Sequence, residues 1–320
     1  MSREPDVLVI GAGVSGLTTA ICLAEAGRGV TVAAADLPLR TTSAAAGAIW
    51  GPHLVGMDER VDRWGSLTMT RLAELSADPS TGVRIADGVA ATRAHQSDPF
   101  DWVAASGAVS PCSPAELPAG YEGGWRLTAP IVSMSVYLDY LLARLGRAGV
   151  PIRDAEFGSL AEAAELTDAE VIVNCSGIGA RRLVPDPAVN PVRGQVIIAE
   201  NPGLTEFFLG VGDDPEDISY FLPHGDLVCL GGTEEEGNWS LEPDPATTER
   251  ILRGCAAIEP RLSKPTIVAH RVGLRPVRPS IRLEAEKVDG RQVLHNYGHG
   301  GAGVTLSWGC ALDVAAMVTG

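Results

Sequence analysis

No stretch of about 18 consecutive apolar residues occurs in the chain, so no membrane-spanning helix is expected. Cysteine is sparse and unpaired. Cys22, Cys112, Cys175, Cys229, Cys255 and Cys310 are scattered without a C-x-x-C step, which excludes a disulfide scaffold and points to a reducing compartment. Basic residues are few: 25 Lys and Arg against 40 Asp and Glu give a net charge of −15, with no basic run. A phosphate-tracking surface needs local basic excess, so nucleic acid is not an expected partner. Also missing are H-E-x-x-H, Cys/His ligand spacing and a Ser/His/Asp arrangement, so zinc chemistry and triad hydrolysis have no support and no metal is expected. Residues 1–5 (MSREP) run straight into a strand, leaving no room for a secretory signal, and the final four residues (MVTG) carry no peroxisomal or ER address. Cytoplasm is the expected location.

What is present is a globular composition, 45% hydrophobic and 20% charged, over 320 residues. At about 150 residues per domain this suggests two domains or one large one with an insertion. Residues 6–10 (DVLVI) form an apolar run suited to a buried parallel strand. GAGVSG follows at 11–16, then a helix with Val14, Leu17, Ile21 and Ala24 on one face, a second strand at 30–35 and Asp36. Helices are expected around 61–75 and 134–145, and another strand at 170–174. Residues 78–130, rich in Pro, Gly, Ser and Asp, resist assignment. From 192 to about 282 the pattern changes to short strands at 195–199, 219–222, 227–230 and 267–271, with one helix capped by Asp244 and started by Pro245. A strand at 293–296, GHGGAG at 298–303 and a helix from Val304 close the chain. Dinucleotide-type elements thus lie at the start, middle and end, with antiparallel-looking material between, which implies two domains built from interleaved segments. No internal repeat is visible.

Gly11 to Gly16 match G-x-G-x-x-G in the required strand–turn–helix setting, where backbone amides and a helix N-terminus meet a pyrophosphate. Asp36, at the end of the second strand, is the candidate for ribose hydroxyls, or else an ordinary strand-end turn residue. The second cluster, Gly298 to Gly303, repeats that physics: glycines admit a flat ligand to the backbone and a helix start faces it. His299 within it is either a general base or, more simply, a turn histidine bonded to backbone. Arg271, Arg275, Arg278 and Arg282 form the densest basic cluster, in RVGLRPVRPSIRLE, and Pro276 and Pro279 interrupt any strand alternation there. One of the four could present its fork to a carboxylate, and each could equally make ordinary salt bridges; residue physics does not choose. Tyr220 is one of five tyrosines and is either a core residue or a functional phenol.

Taken together the strings GAGVSG, AAGAIWGP (45–52), VIVNCSGIGA (171–180), VRGQV (192–196), GGTEEEGNWS (231–240), GLRPVRPSIRLE (273–284) and HNYGHGGAGVTLSWGCAL (295–312) resemble the FAD-dependent D-amino-acid oxidase family, nearly end to end. The resemblance implies an α/β fold: a Rossmann-like FAD-binding domain (1–52, 131–185 and 271–320) interleaved with an α+β substrate domain (53–130 and 186–270) containing a mainly antiparallel sheet. It implies that Arg275 grips the substrate carboxylate, that the Tyr220 hydroxyl assists, and that the Gly301 carbonyl receives the amine. Gly11, Gly13, Val14, Gly16 and Asp36, the early loop Thr42, Ser43, Ala46, Gly47, Ala48 and Ile49, then Ser176, and Gly300, Gly303, Val304 and Thr305 are implied to hold FAD. The implied reaction is hydride transfer from the substrate Cα to flavin N5, hydrolysis of the imine to a 2-oxo acid and ammonia, and reoxidation by O2 to give H2O2.

Two departures stand out. Ala302 occupies the place of a tyrosine in the animal enzymes, and residues 213–219 (DDPEDIS) are short and lack the lid tyrosine, which implies a more open pocket. Apolar candidates Ile49, Val211 and Leu222 favour neutral aliphatic or aromatic side chains, whereas His53 keeps an acidic substrate open. The expected partners are a D-amino acid and O2, with no nucleic acid or membrane, in a monomer or homodimer. A glycine- or sarcosine-type amine oxidase, a D-aspartate oxidase, a pyridine-nucleotide dehydrogenase and a non-enzymatic dinucleotide sensor are the rivals.

Overall fold

The computed structural model describes residues 6–211 and 218–319. Among these, 14 strands join in one mixed sheet. Its parallel portion runs in the order Arg291–His299, Val171–Asn174, Val7–Ile10, Val30–Ala34, Ile152–Asp154. Val7–Ile10 and Val171–Asn174 are buried at every position, as apolar runs covered on both faces must be. The chain leaves Val7–Ile10 to add strands on one side and later returns to add Val171–Asn174 on the other. The turn after Val7–Ile10 therefore opens at the switch point, where ligands enter open α/β sheets. Ile10 pairs with both Ala33 and Asn174, so the carboxyl ends of three strands stand level.

Helices cover both faces of this portion. Val14–Glu25, Glu59–Leu75, Met134–Arg147 and Gly303–Thr319 share one core through Leu17, Ile21, Trp64, Leu72, Leu138, Leu141 and Trp308. The short helix Leu160–Glu165 packs Leu160 and Ala163 against Leu8, Ile172 and Val293 on the opposite side.

The remaining strands are mainly antiparallel. Asn190–Glu200, Leu227–Gly231, Tyr220–His224 and Phe207–Gly210 pair in that spatial order, and Val83–Thr92 then joins Phe207–Gly210 in parallel. Residues 78–130, unassigned from sequence, contain two ten-residue strands, Val83–Thr92 and Gly123–Val132, paired without interruption from Val83–Val132 to Thr92–Gly123. Their Ala and Gly content hides them from β-propensity, because burial and cross-strand packing stabilise them instead. Helix Pro245–Ile258 begins as expected, with the Thr247 amide donating to Asp244 Oδ2 at 2.7 Å.

One 22-residue strand, Ile267–Val288, stitches the two portions together. Its first part pairs with Asn190–Glu200 and its last with Arg291–His299. The strand runs on through Pro276 and Pro279, and its register shifts between Val277 and Arg282, where it changes partners. Pro276 lies opposite Pro191, so residues without an N–H sit where few ladder bonds are lost. Residue 271, the expected domain boundary, lies inside this strand. No helix of the described residues is long and apolar enough to cross a membrane.

Candidate active site

A cavity of about 660 Å³ runs along the carboxyl ends of these strands. It extends from Asp36 and Glu156, beyond strands Val30–Ala34 and Ile152–Asp154, to Tyr220 and Arg275. Five strand-to-strand steps separate Ile152–Asp154 from Ile267–Val288. At about 4.8 Å each they make roughly 24 Å, room for an extended dinucleotide. Two long helices aim their N-termini into this space: Ala12, Gly13, Val14 and Ser15 line it at one, Gly301, Gly303 and Val304 at the other. Such ends favour negative charge through free amides and the helix dipole.

The residues present fit a flat, phosphate-bearing group. Gly11 has φ of +110°, and a Cβ there would lie 2.4 Å from the Cys175 carbonyl oxygen, so only glycine lets the turn hug the neighbouring strand end. Gly300, at φ of +55°, would place a Cβ 1.8 Å from the Leu54 carbonyl. Between these turns, Ser43 accepts from the Val14 amide at 2.9 Å and ties the early loop to the first glycine turn. Thr42 donates to the Leu274 carbonyl at 3.1 Å, and His224 Nε2 donates to the Gly47 carbonyl at 3.2 Å.

Of the expected cofactor residues, Gly11, Gly13, Val14, Asp36, Thr42, Ser43, Ala46, Gly47, Ala48, Ile49, Ser176, Gly300, Gly303 and Val304 all line this one cavity. Gly16 and Thr305 do not. A Cβ on Gly16 would sit 1.9 Å from the Gly11 carbonyl oxygen, so its place is helix-to-turn packing. Buried Thr305 donates to the Gly51 carbonyl at 2.9 Å and accepts from its amide at 3.2 Å, pinning the loop from behind. Ala48 within that loop holds a left-handed φ of 55°.

The structure separates the four arginines that sequence left equivalent. Arg278 pairs with Asp186 at 3.0 Å, Arg282 with Glu284 at 2.7 Å, and Arg271 donates to the Ala44 carbonyl at 3.1 Å. Arg275 alone of the four lines the cavity. Its Nη1 donates to the Thr233 carbonyl at 2.8 Å, and among the described residues no carboxylate lies within ion-pair distance of it. Tyr220 shares that end, packed against Gly47 and Gly231, and burial pushes its phenol well above the ordinary value, so the hydroxyl stays protonated. Ile49, Leu209, Val211, Leu222 and Trp102 supply apolar walls.

Gly301 donates its amide to the His53 carbonyl at 3.0 Å, with the imidazole edge close above it. His53 Nε2 in turn lies 3.0 Å from Glu234 Oε1. Glu234, unrecognised from sequence, is in the cavity wall; burial opposes its charge, but the hydrogen bond from His53 and the nearby Arg275 charge hold its carboxyl below the usual range. His299 bonds the Asn296 side chain at 3.0 Å, not the backbone, and burial lowers it to about 4, which leaves it neutral. Ala302 is fully buried. The expectation of a short, open lid falls mostly on residues 212–217, outside those described.

The model of the DAO family, FAD dependent oxidoreductase, matches residues 6–317. The chain is 49% identical over 311 residues to a D-amino-acid oxidase of Rubrobacter xylanophilus, covering 97% of this chain and 94% of that one. It is 44% identical over 321 residues to a D-amino-acid oxidase of Streptomyces coelicolor, covering 99% and 98%. Among solved structures, glycine oxidase from Geobacillus kaustophilus superposes with a TM-score of 0.81 at 18% identity, over 98% of this chain and 95% of that one, a likeness of fold. With two glycine turns, two helix starts and a single long crevice accounted for along one matched length, the chain belongs to the DAO family of FAD dependent oxidoreductases.

Proposed function

We propose that this protein is a D-amino-acid oxidase, converting a D-amino acid, O2 and water into a 2-oxo acid, ammonia and H2O2, with neutral aliphatic and aromatic side chains accepted. The observation that carries this reading is Arg275: a guanidinium in the cavity wall, without a carboxylate partner among the described residues, beside a protonated phenol. A charge placed so in a partly enclosed site calls for a small anion, and its planar fork suits a carboxylate.

FAD, when bound, supplies the hydride acceptor at N5 and passes the electron pair to O2. The chain's own part is orientation. Arg275 holds the substrate carboxylate, Tyr220 donates its hydroxyl to the same group, and the Gly301 carbonyl accepts from the amine. Three fixed points determine which face of Cα turns its hydrogen toward the cofactor. No protein base is required for a neutral amine, and neutral His299 is consistent with that. The apolar walls exclude water from the reacting centre and receive the side chain. The helix start at Gly303 would turn its positive end toward bound FAD and favour negative charge there. In this reading residues 1–52, 131–185 and 271–320 carry FAD, and 53–130 and 186–270 carry the substrate. Six free thiols accord with a cytoplasmic enzyme; it acts as a monomer or homodimer.

Peroxide release across a panel of D-amino acids, with flavin content measured alongside, tests the proposal. D-alanine and D-valine are expected to react. Reaction with sarcosine or glycine in their place overturns it in favour of an amine oxidase, and D-aspartate as the best substrate overturns the neutral preference.

A further inference from the structure

We infer that His295 and Glu286 are positioning residues for the cofactor: through Asn174 they hold the Ser176 hydroxyl in one orientation at the cavity wall, and FAD binds more tightly while His295 is neutral. The inference concerns FAD retention and is independent of which amine is oxidised.

Four side chains form one run of hydrogen bonds across three adjacent strands. Asn174, the last residue of Val171–Asn174, stands beside His295 of Arg291–His299 in the parallel pair, and both are 0% exposed. Ser176 donates its amide to Asn174 Oδ1 at 3.1 Å and its hydroxyl to the same oxygen at 2.6 Å. Asn174 Nδ2 lies 3.3 Å from His295 Nδ1, and His295 Nε2 lies 2.9 Å from Glu286 Oε1. Glu286, 40% exposed, ends the run toward solvent. Ser176 ends it in the cavity wall, with its Cα 3.3 Å from where a Cβ on Gly11 would stand.

The direction of every donor is fixed from both ends. A backbone N–H can only donate, so the atom that Ser176 meets is the Asn174 oxygen, and the Asn174 nitrogen must then face His295. A carboxylate can only accept, so His295 carries its proton on Nε2 and leaves Nδ1 as the acceptor. The Ser176 hydroxyl donates to Asn174 and keeps its lone pairs for the cavity. It precedes the turn at 177–179 without using them in a capping bond. Bound FAD would meet an acceptor there, which suits a hydrogen-bond donor of the cofactor and repels a phosphate oxygen.

A second proton on His295 breaks the run. Its Nδ1–H would point at the Asn174 nitrogen, donor against donor, and turning the carboxamide over moves the same conflict to the Ser176 N–H. Neither arrangement keeps both Ser176 bonds. Facing the imidazole are Glu286, Glu284 and Arg282 of Ile267–Val288, and the Tyr297 ring at 5.6 Å, which reaches on to Asp186 and its partner Arg278. The turns at 177–183 carry Arg181 and Arg182, engaged by the Pro187 and Val189 carbonyls and by Glu156. Burial lowers the imidazole and outweighs the opposing hydrogen bond and charge of Glu286, so it is neutral at pH 7.

The test follows FAD release from the purified holoenzyme on dilution, read by flavin fluorescence from pH 8 to 5, with far-UV circular dichroism at each pH to show that the chain is folded. In the wild type the FAD dissociation constant is expected to be constant from pH 8 to 7 and to rise at least about threefold by pH 5, a single group contributing up to about tenfold per pH unit. His53 also lines the cavity, so variants assign the titration. His295→Gln offers an acceptor and a donor that do not titrate; it is expected to stay within about threefold of wild type at pH 7.5 and to lose the acid rise. Glu286→Gln removes a charge that favours the imidazolium, so its rise is expected to begin at lower pH, with tighter FAD binding than wild type at pH 5.5. A merely structural contact would instead give weaker binding at every pH. Glu286 is partly exposed, and its variant decides the matter where His295→Gln does not fold. A constant that stays flat in folded wild type, a rise that survives in His295→Gln, or weaker binding at pH 5.5 in Glu286→Gln overturns the inference.

Discussion

The guanidinium of Arg275 lies so close to Gly194 that a Cβ on that residue would come within 2.6 Å of both terminal nitrogens. Gly194 stands opposite Gly273, two positions along the strand from Arg275, in the paired strands Asn190–Glu200 and Ile267–Val288. The backbone there is a floor on which the guanidinium rests, and no side chain larger than hydrogen fits under it. Gly194→Ala is expected to push the fork aside and to raise KM for a neutral D-amino acid by about tenfold or more, since a 1 Å misplacement of a positioning group costs on the order of 100-fold. Arg275→Ala should act in the same direction through loss of a charge-assisted pair, about 1.5–3 kcal/mol, or roughly 10- to 150-fold in KM. Steady-state kinetics on both variants, with flavin content matched, check the pair; normal KM in Gly194→Ala would mean the guanidinium moves without consequence.

Tyr220→Phe removes one hydroxyl from the same end while keeping the ring that packs against Gly47 and Gly231. The expected loss in kcat/KM is on the order of 1 kcal/mol, about fivefold. A complete loss of activity would show that the phenol does more than donate to the carboxylate.

How much of this was legible before folding depends on what kind of constraint each residue answers. Gly11, Gly16 and Gly300 could be read in advance because backbone geometry admits nothing else there, and such constraints leave a local string. The arginine cluster could not be resolved, because Arg271, Arg275, Arg278 and Arg282 differ only in what stands across from them: a carbonyl, a cavity, Asp186, and Glu284 with Glu286. Glu234 lies in GGTEEEGNWS, where three consecutive acids look alike in sequence and none is marked out from its neighbours. In the fold the three carboxylates part company: Glu234 enters the cavity, Glu235 meets buried Arg193, and Glu236 is exposed. The strands at 83–92 and 123–132 escaped for a related reason, since small residues become strand formers only when another strand is present to bury them.

Thr305 tests whether a residue outside the cavity governs the loop inside it. Its hydroxyl both gives to and takes from Gly51, closing a loop that includes left-handed Ala48. Thr305→Val keeps the shape and leaves both polar groups of Gly51 without that partner, at a cost of about 1–3 kcal/mol. The expected result is weaker FAD retention on dilution, read by flavin fluorescence, with KM for the D-amino acid changing less than flavin affinity does. Thr305→Ser should restore retention. If Thr305→Val leaves flavin binding unaltered, the hydrogen bonds to Gly51 are structural only.

Acid sensitivity follows from two buried imidazoles. Burial lowers His224 and His299 from an ordinary value of 6.5 to about 4, and for His224 the bond to the Gly47 carbonyl offsets only part of that. A histidine whose folded pKa lies below its unfolded one binds more protons when unfolded. Its contribution to stability is therefore complete above about pH 6.5 and is lost as pH falls toward 4. His295 is shifted in the same direction, chiefly by burial. Carboxylates held low, such as Asp186 and Glu284, lose their contribution only at more acidic pH, below the ordinary 3.8 and 4.5. The unfolding temperature is thus expected to hold steady from pH 8 to 7 and to decline between pH 6.5 and 4.5, and His299→Asn should flatten that decline. An unfolding temperature equal at pH 7 and pH 5 in the wild type would mean that these imidazoles reach solvent in the native state.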